Sequence, residues 1–190
     1  MDYQTLDNEE LLRLSLAAMN GNRDEDAVVM LKTLLGREPE NAQAHYLLAA
    51  LHAQIGMMDR AEEGFRRAVA IAPGMTMARF QLGQLLLVKG DSVGAHNVLE
   101  ALAAQQDAIG AYARGLIAVA AEDMPGAVRS LEEGLSQPQA VPALQGDMEG
   151  LRARLIAMSQ QAQQVSSVPA NEAPPMMRMP NAYQGGTGFN

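Results

Sequence analysis

The chain has no cysteine and no tryptophan, and only 4% of its residues are aromatic. Without cysteine there is no disulfide framework, no thiol nucleophile and no cysteine-type zinc site. Positive charge is also scarce. Fourteen basic residues face 22 acidic ones, for a formal net charge of −8 over 190 residues. Such a chain is poorly suited to gripping a phosphate backbone, so nucleic acid is excluded as a partner. No apolar run reaches the roughly 18 to 20 residues of a membrane span. The first residues, Asp2 to Asp7, are acidic where a signal peptide is basic and then apolar. These absences point to a soluble cytoplasmic protein. What is abundant is Ala, Leu, Val and Met, within a 48% hydrophobic total, and that composition favours helices.

The apolar residues recur. Ala27, Ala61, Ala95 and Ala127 are spaced by 34, 34 and 32 residues. Four residues after each comes Leu31, Phe65, Leu99 or Leu131, and twelve before each comes Ser15, Ala49, Gly83 or Gly115. Leu14, Leu48 and Leu82 precede the small residues of the first three copies. Gly56 and Gly90 fall five residues before an alanine, and Pro39 and Pro73 twelve after one. The pattern reads as two antiparallel helices per repeat. Small residues let the helices approach, large ones fill the gap, glycine reverses the chain and proline ends the second helix. Asp59 and Asp91 lie near the starts of second helices, where a carboxylate suits the helix dipole.

This phased set resembles the tetratricopeptide repeat (TPR) family. The copy from Ala42 to Met75 carries Leu48-Ala49, Gly56, Ala61, Phe65, Ala68 and Pro73. Further copies span about 8–41, 76–107 and 108–140. The third has Leu102 where the family usually has alanine, and the fourth has Arg114 where leucine is expected. The resemblance implies an all-α solenoid of four helical hairpins. A further stripe, Leu144, Met148, Leu151, Leu155 and Met158, recurs at intervals of 4, 3, 4 and 3 after Pro142. It reads as a capping helix over 142–163 closing a solenoid of residues 1–164, or as a homodimer seam through residues 144–158. From 165 to 190 the Pro-, Gly- and Met-rich composition reads as a disordered tail, either inert or docking on the repeats or a partner.

Chemistry is sparse. Gly90-Asp91-Ser92-Val93-Gly94 matches the G-x-S-x-G pattern, but that motif needs a preceding strand, whereas Gly90 follows a helix. His45 and His52 lie two turns apart, about 10 Å, too far to share a metal. His96 stands early on a second helix. The pairs Glu62-Glu63 and Glu132-Glu133 diverge around a helix. No catalytic residues, no metal site and no cofactor are expected, and the chain reads as a non-enzyme.

Tyr46, Phe80 and Tyr112 each lie fifteen residues before their repeat alanine, and Leu12 holds that place in the first copy. In the family this place faces the concave groove. One and two turns on come Leu16, Ala50, Gln84 and Leu116, then Met19, Ala53, Leu87 and Val119. Eleven of these twelve groove candidates are apolar. Family members that clamp acidic C-termini carry Lys, Arg and Asn there instead. The resemblance therefore implies a protein partner with an apolar or amphipathic segment. Half-covering the three aromatics would give roughly 6 to 9 kcal/mol gross. The same three rings could instead pack against the next repeat's first helix. Two roles compete: an interaction scaffold or assembly adaptor, and a secretion-type chaperone that keeps an aggregation-prone client soluble. Charge is uneven, with nine acids and four bases in residues 1–40 and a neutral balance in 41–75.

Overall fold

The computed structural model describes residues 3–139 and 141–166. A short 3-10 turn, Tyr3–Thr5, precedes the α-helices. These run α1 (Asn8–Asn20), α2 (Asp24–Arg37), α3 (Ala42–Gln54), α4 (Met58–Ile71), α5 (Thr76–Val88), α6 (Ser92–Ala103), α7 (Ala108–Ala120), α8 (Met124–Leu135) and α9 (Pro142–Ser166). Successive helices pack in antiparallel pairs, α1 on α2, α3 on α4, α5 on α6 and α7 on α8, and each pair stacks on the next. There is no strand among the described residues.

Local chemistry sets the helix ends. Asp7, Asn41, Asp91, Asp107 and Asp123 each accept a backbone N–H three residues on, satisfying one donor that the first helical turn leaves free. Asp7 and Glu10 complete a reciprocal capping box. Asp59 sits in the first turn of α4 and accepts from Lys89 Nζ at 2.7 Å. Inside each hairpin one turn residue adopts a left-handed conformation: Asn22 (φ 54°), Gly56 (78°), Gly90 (80°) and Glu122 (59°). The residues share one place in the repeat, but only two are glycine, the residue that takes this conformation without a Cβ clash.

Between paired helices the phased residues meet as expected. Ala27, Ala61, Ala95 and Ala127 are fully buried, as are Leu31, Leu99 and Leu131, while Phe65 is 2% exposed. Arg114 departs from the family pattern and packs by a different route. Its guanidinium donates to Ala103 O at 2.8 Å and Gln105 O at 3.0 Å, carbonyls left free at the end of α6. It also pairs with Glu133 at 2.6 Å.

Helix α9 packs on α8. Leu144, Met148 and Leu155 are buried in one cluster with Phe80, Tyr112 and Leu116. Most of the apolar stripe is thus covered within the chain, and Met158, 58% exposed, is left for any contact between copies. The helix runs to Ser166, three residues past the expected cap, so 165 and 166 are helical and not tail. The remainder of the expected tail, 167–190, lies outside the described residues.

Candidate functional site

The first helices α3, α5 and α7, with α9, frame a groove of two adjoining clefts. Its larger part is a cleft of about 660 Å³ between α5, α7 and α9, lined by Gln84, Leu87, Val88 and Val119, with Leu151 and Arg154 on the α9 side. Its smaller part, about 280 Å³, lies between α3, α4 and α5 and is lined by Ala50, Ala53, Met58 and Gln81. Gln84 and Val88 line both parts and join them. Val88 is 74% exposed, a large apolar side chain offered to solvent at the junction. The Gln81 side-chain oxygen is buried without a hydrogen-bond partner, so an acceptor sits unused in the groove wall.

Six of the twelve groove candidates, Ala50, Ala53, Gln84, Leu87, Leu116 and Val119, fall in these two parts. Leu116 is 4% exposed, so it is mainly a core residue that reaches the cleft with an edge. Leu12, Leu16 and Met19 are half-buried against the N-terminal core cluster and do not join the groove. Tyr46 is also half-buried, with its ring tilted 48° to that of Phe65 at 6.0 Å, and burial pushes its phenol above the ordinary value.

Phe80 and Tyr112 require a correction: both are fully buried and neither faces the groove. Phe80 packs with Leu99, Leu102, Ala108 and Tyr112, beneath the following helix pair. Tyr112 packs on Gly134 of α8, where a Cβ would come within 2.3 Å of its ring. Its hydroxyl donates to Gln139 Oε1 at 2.8 Å. Of the two arrangements open to these rings, packing against the next elements is the one adopted. The aromatic contribution of roughly 6 to 9 kcal/mol expected for the groove therefore does not exist. Val88, Met58, Leu151 and Arg154 are groove residues the repeat phasing did not select. Val88 follows Leu87 directly, and its position at an apolar helix end was the available signal.

Catalytic geometry is missing where the sequence matched it. Gly90 is a left-handed turn between two helices and Ser92 is an exposed first residue of α6, so no strand presents the hydroxyl. Among the described residues no three His, Asp or Glu side chains converge as metal ligands. No helix among them is long and apolar enough to cross a membrane.

Stacked helical hairpins with an open apolar groove define a helical-repeat solenoid. The tetratricopeptide repeat family model matches residues 12–76, from within α1 to the start of α5. Residues 12–76 therefore carry the tetratricopeptide-repeat pattern, and the helical hairpins stacked after them continue the same fold. No curated protein matches it. Among solved structures it is similar to a thermophilic TPR protein of Thermus thermophilus, with TM-score 0.66 and 20% identity, covering 87% of this chain and 93% of that one. It is similar to MamA 41-end from Desulfovibrio magneticus RS-1, with TM-score 0.58 and 20% identity, covering 89% and 99%. It also overlays the APC/C hetero-tetramer Cut9-Hcn1, with TM-score 0.70 and 17% identity, covering 81% of this chain but 31% of that one. These likenesses show the fold.

Proposed function

We propose that the protein is a non-catalytic interaction scaffold or assembly adaptor that takes an apolar or amphipathic segment of a partner protein in the first-helix groove. The joined groove carries this reading. It is apolar along Ala50, Ala53, Leu87, Val88 and Val119, and open enough for a helix or extended strand of a partner. Arg154 and Asp147 at the α9 edge add polar contacts that set orientation.

Burying half-exposed Leu and Val side chains contributes on the order of 1 kcal/mol each, so a short segment should bind with roughly micromolar affinity after ordering costs. The test is a double substitution, Ala53→Glu with Val88→Glu. Val88 is exposed, while Ala53 is half-buried at the edge of the cluster around Phe65, so the melting temperature is measured first, and a variant that keeps it should lose partner capture. Undiminished capture by the folded variant would sink the groove reading. A captured client that this protein alone keeps soluble, one to one, would assign it the chaperone role instead.

A further inference from the structure

A cavity of about 770 Å³ opens on a different side of α3, between the second helices α2 and α4. It is larger than either part of the first-helix groove, and its charge is opposite to that of the chain. Against a net charge of −8, its lining carries the cations Lys32, Arg60, Arg66 and Arg67 and one carboxylate, Glu63. Its floor is apolar, with Leu35, Leu48 and Ala49.

The cations are open to exchange. Among the described residues neither Lys32 nor Arg60 has a carboxylate within ion-pair distance. Arg66 pairs with Glu62 at 2.8 Å and Arg67 with Glu40, but both arginine side chains are about half exposed, where such pairs hold weakly. His52 reports the local field: after burial, the charges of Arg60 and Lys32 hold its imidazole below the ordinary value. Arg60 and Arg67 are seven residues apart on α4, about 10 Å along its axis. His45 lies toward the Arg67 end, with its ring nitrogen 2.8 Å from Pro39 O.

We propose that this cavity binds an acidic segment of a partner protein, with two carboxylate clusters about 10 Å apart and an apolar residue between them. One cluster meets Lys32 and Arg60, the other meets Arg67, and the apolar side chain rests on Leu35 and Leu48. An extended peptide spans that distance in about three residues. A nucleic acid fits less well, because no aromatic lines the cavity to stack on a base and the acidic first helix pair repels a long polyanion. The site is separate from the first-helix groove, and neither reading depends on the other.

The probe is a fluorescein-labelled hexapeptide with an Asp-Glu pair on each side of an Ala-Leu centre, followed by fluorescence anisotropy with the full chain. Saturable binding is expected, weakening several-fold as NaCl rises from about 50 to about 300 mM. Lys32→Gln with Arg60→Gln should weaken it about tenfold or more, each lost charge-assisted contact accounting for part. These side chains are exposed and glutamine keeps their stems, so far-UV CD should be unchanged. Arg129→Gln, on α8, and the Ala53→Glu/Val88→Glu groove variant should bind the probe as wild type does. The proposal is overturned by absence of saturable binding up to about 1 mM, by equal binding of the Asn-Gln version of the peptide, or by an unchanged affinity in the Lys32/Arg60 variant. Displacement of the peptide by an equimolar short DNA duplex would also overturn it and assign the cavity to nucleic acid.

Discussion

Tyr112→Ala should destabilise the protein by about 3 to 5 kcal/mol, the range for emptying a buried aromatic site. Tyr112 is fully buried, in one cluster with Phe80, Leu131, Leu144 and Met148. Its ring fills the space above Gly134, which has no side chain to move into the gap. The hydroxyl also holds Gln139, whose Nε2 donates to Gly134 O at 2.8 Å and Gln137 O at 2.6 Å, so the connection into α9 loosens with it. For a chain of this size each kcal/mol lowers the melting temperature by about 2 to 4 °C, so a fall of roughly 6 to 20 °C is expected. Tyr112→Phe removes only the hydroxyl and should cost about 0.5 to 1.5 kcal/mol. Far-UV CD melts and urea titrations of both variants measure this. A Tyr112→Ala protein that melts within about 2 °C of wild type while losing a partner would refute the burial and return the ring to the groove.

Three further outcomes rest on the turns and ion pairs. Gly56→Ala should cost about 1 kcal/mol and Glu122→Gly should stabilise by about 0.5 to 1 kcal/mol, because both positions hold a left-handed backbone; urea midpoints moving in the same direction would contradict this. Arg114→Leu restores the family residue but strips donors from Ala103 O and Gln105 O, so a loss of about 1 to 3 kcal/mol in thermal or urea unfolding is expected, and a gain would show the guanidinium to be dispensable. Hydrogen bonds from Lys89 and then Arg66 hold the Glu62 carboxyl below the ordinary glutamate value of 4.5. A lowered folded value means that its stabilisation is present above 4.5 and is lost as pH falls through the folded value. Glu62→Gln should therefore flatten the fall in stability below pH 4.5, and an acid-unfolding curve of unchanged steepness would count against the pairing.

The repeat was legible because its residues have fixed steric duties. An alanine at each close helix contact leaves the same mark every 32 to 34 residues, and all four are buried as that role requires. The facing of Phe80 and Tyr112 was not legible from that phasing. Their place borders both the groove and the next first helix, and the elements that come later in the chain decide which of the two they meet. Helix α9 folding back on α8 gives Tyr112 an inner surface to join. Asn22 and Glu122 escaped notice as turn residues because neither is glycine, although both occupy the glycine position. The basic cavity was hidden by linear counting. Residues 41–75 are neutral in sum, but folding turns Arg60, Arg66 and Arg67 toward Lys32 of α2 and directs Asp59 and Glu62 to Lys89.

The most direct measurement is quantitative mass spectrometry of proteins retained by tagged wild-type chain and by the Ala53→Glu/Val88→Glu variant, purified in parallel with matched melting temperatures. A partner that accompanies the wild type in near-stoichiometric amount and disappears from the variant is the expected result. Equal recovery by both proteins, or no stoichiometric partner for either, would contradict a binding function in the first-helix groove.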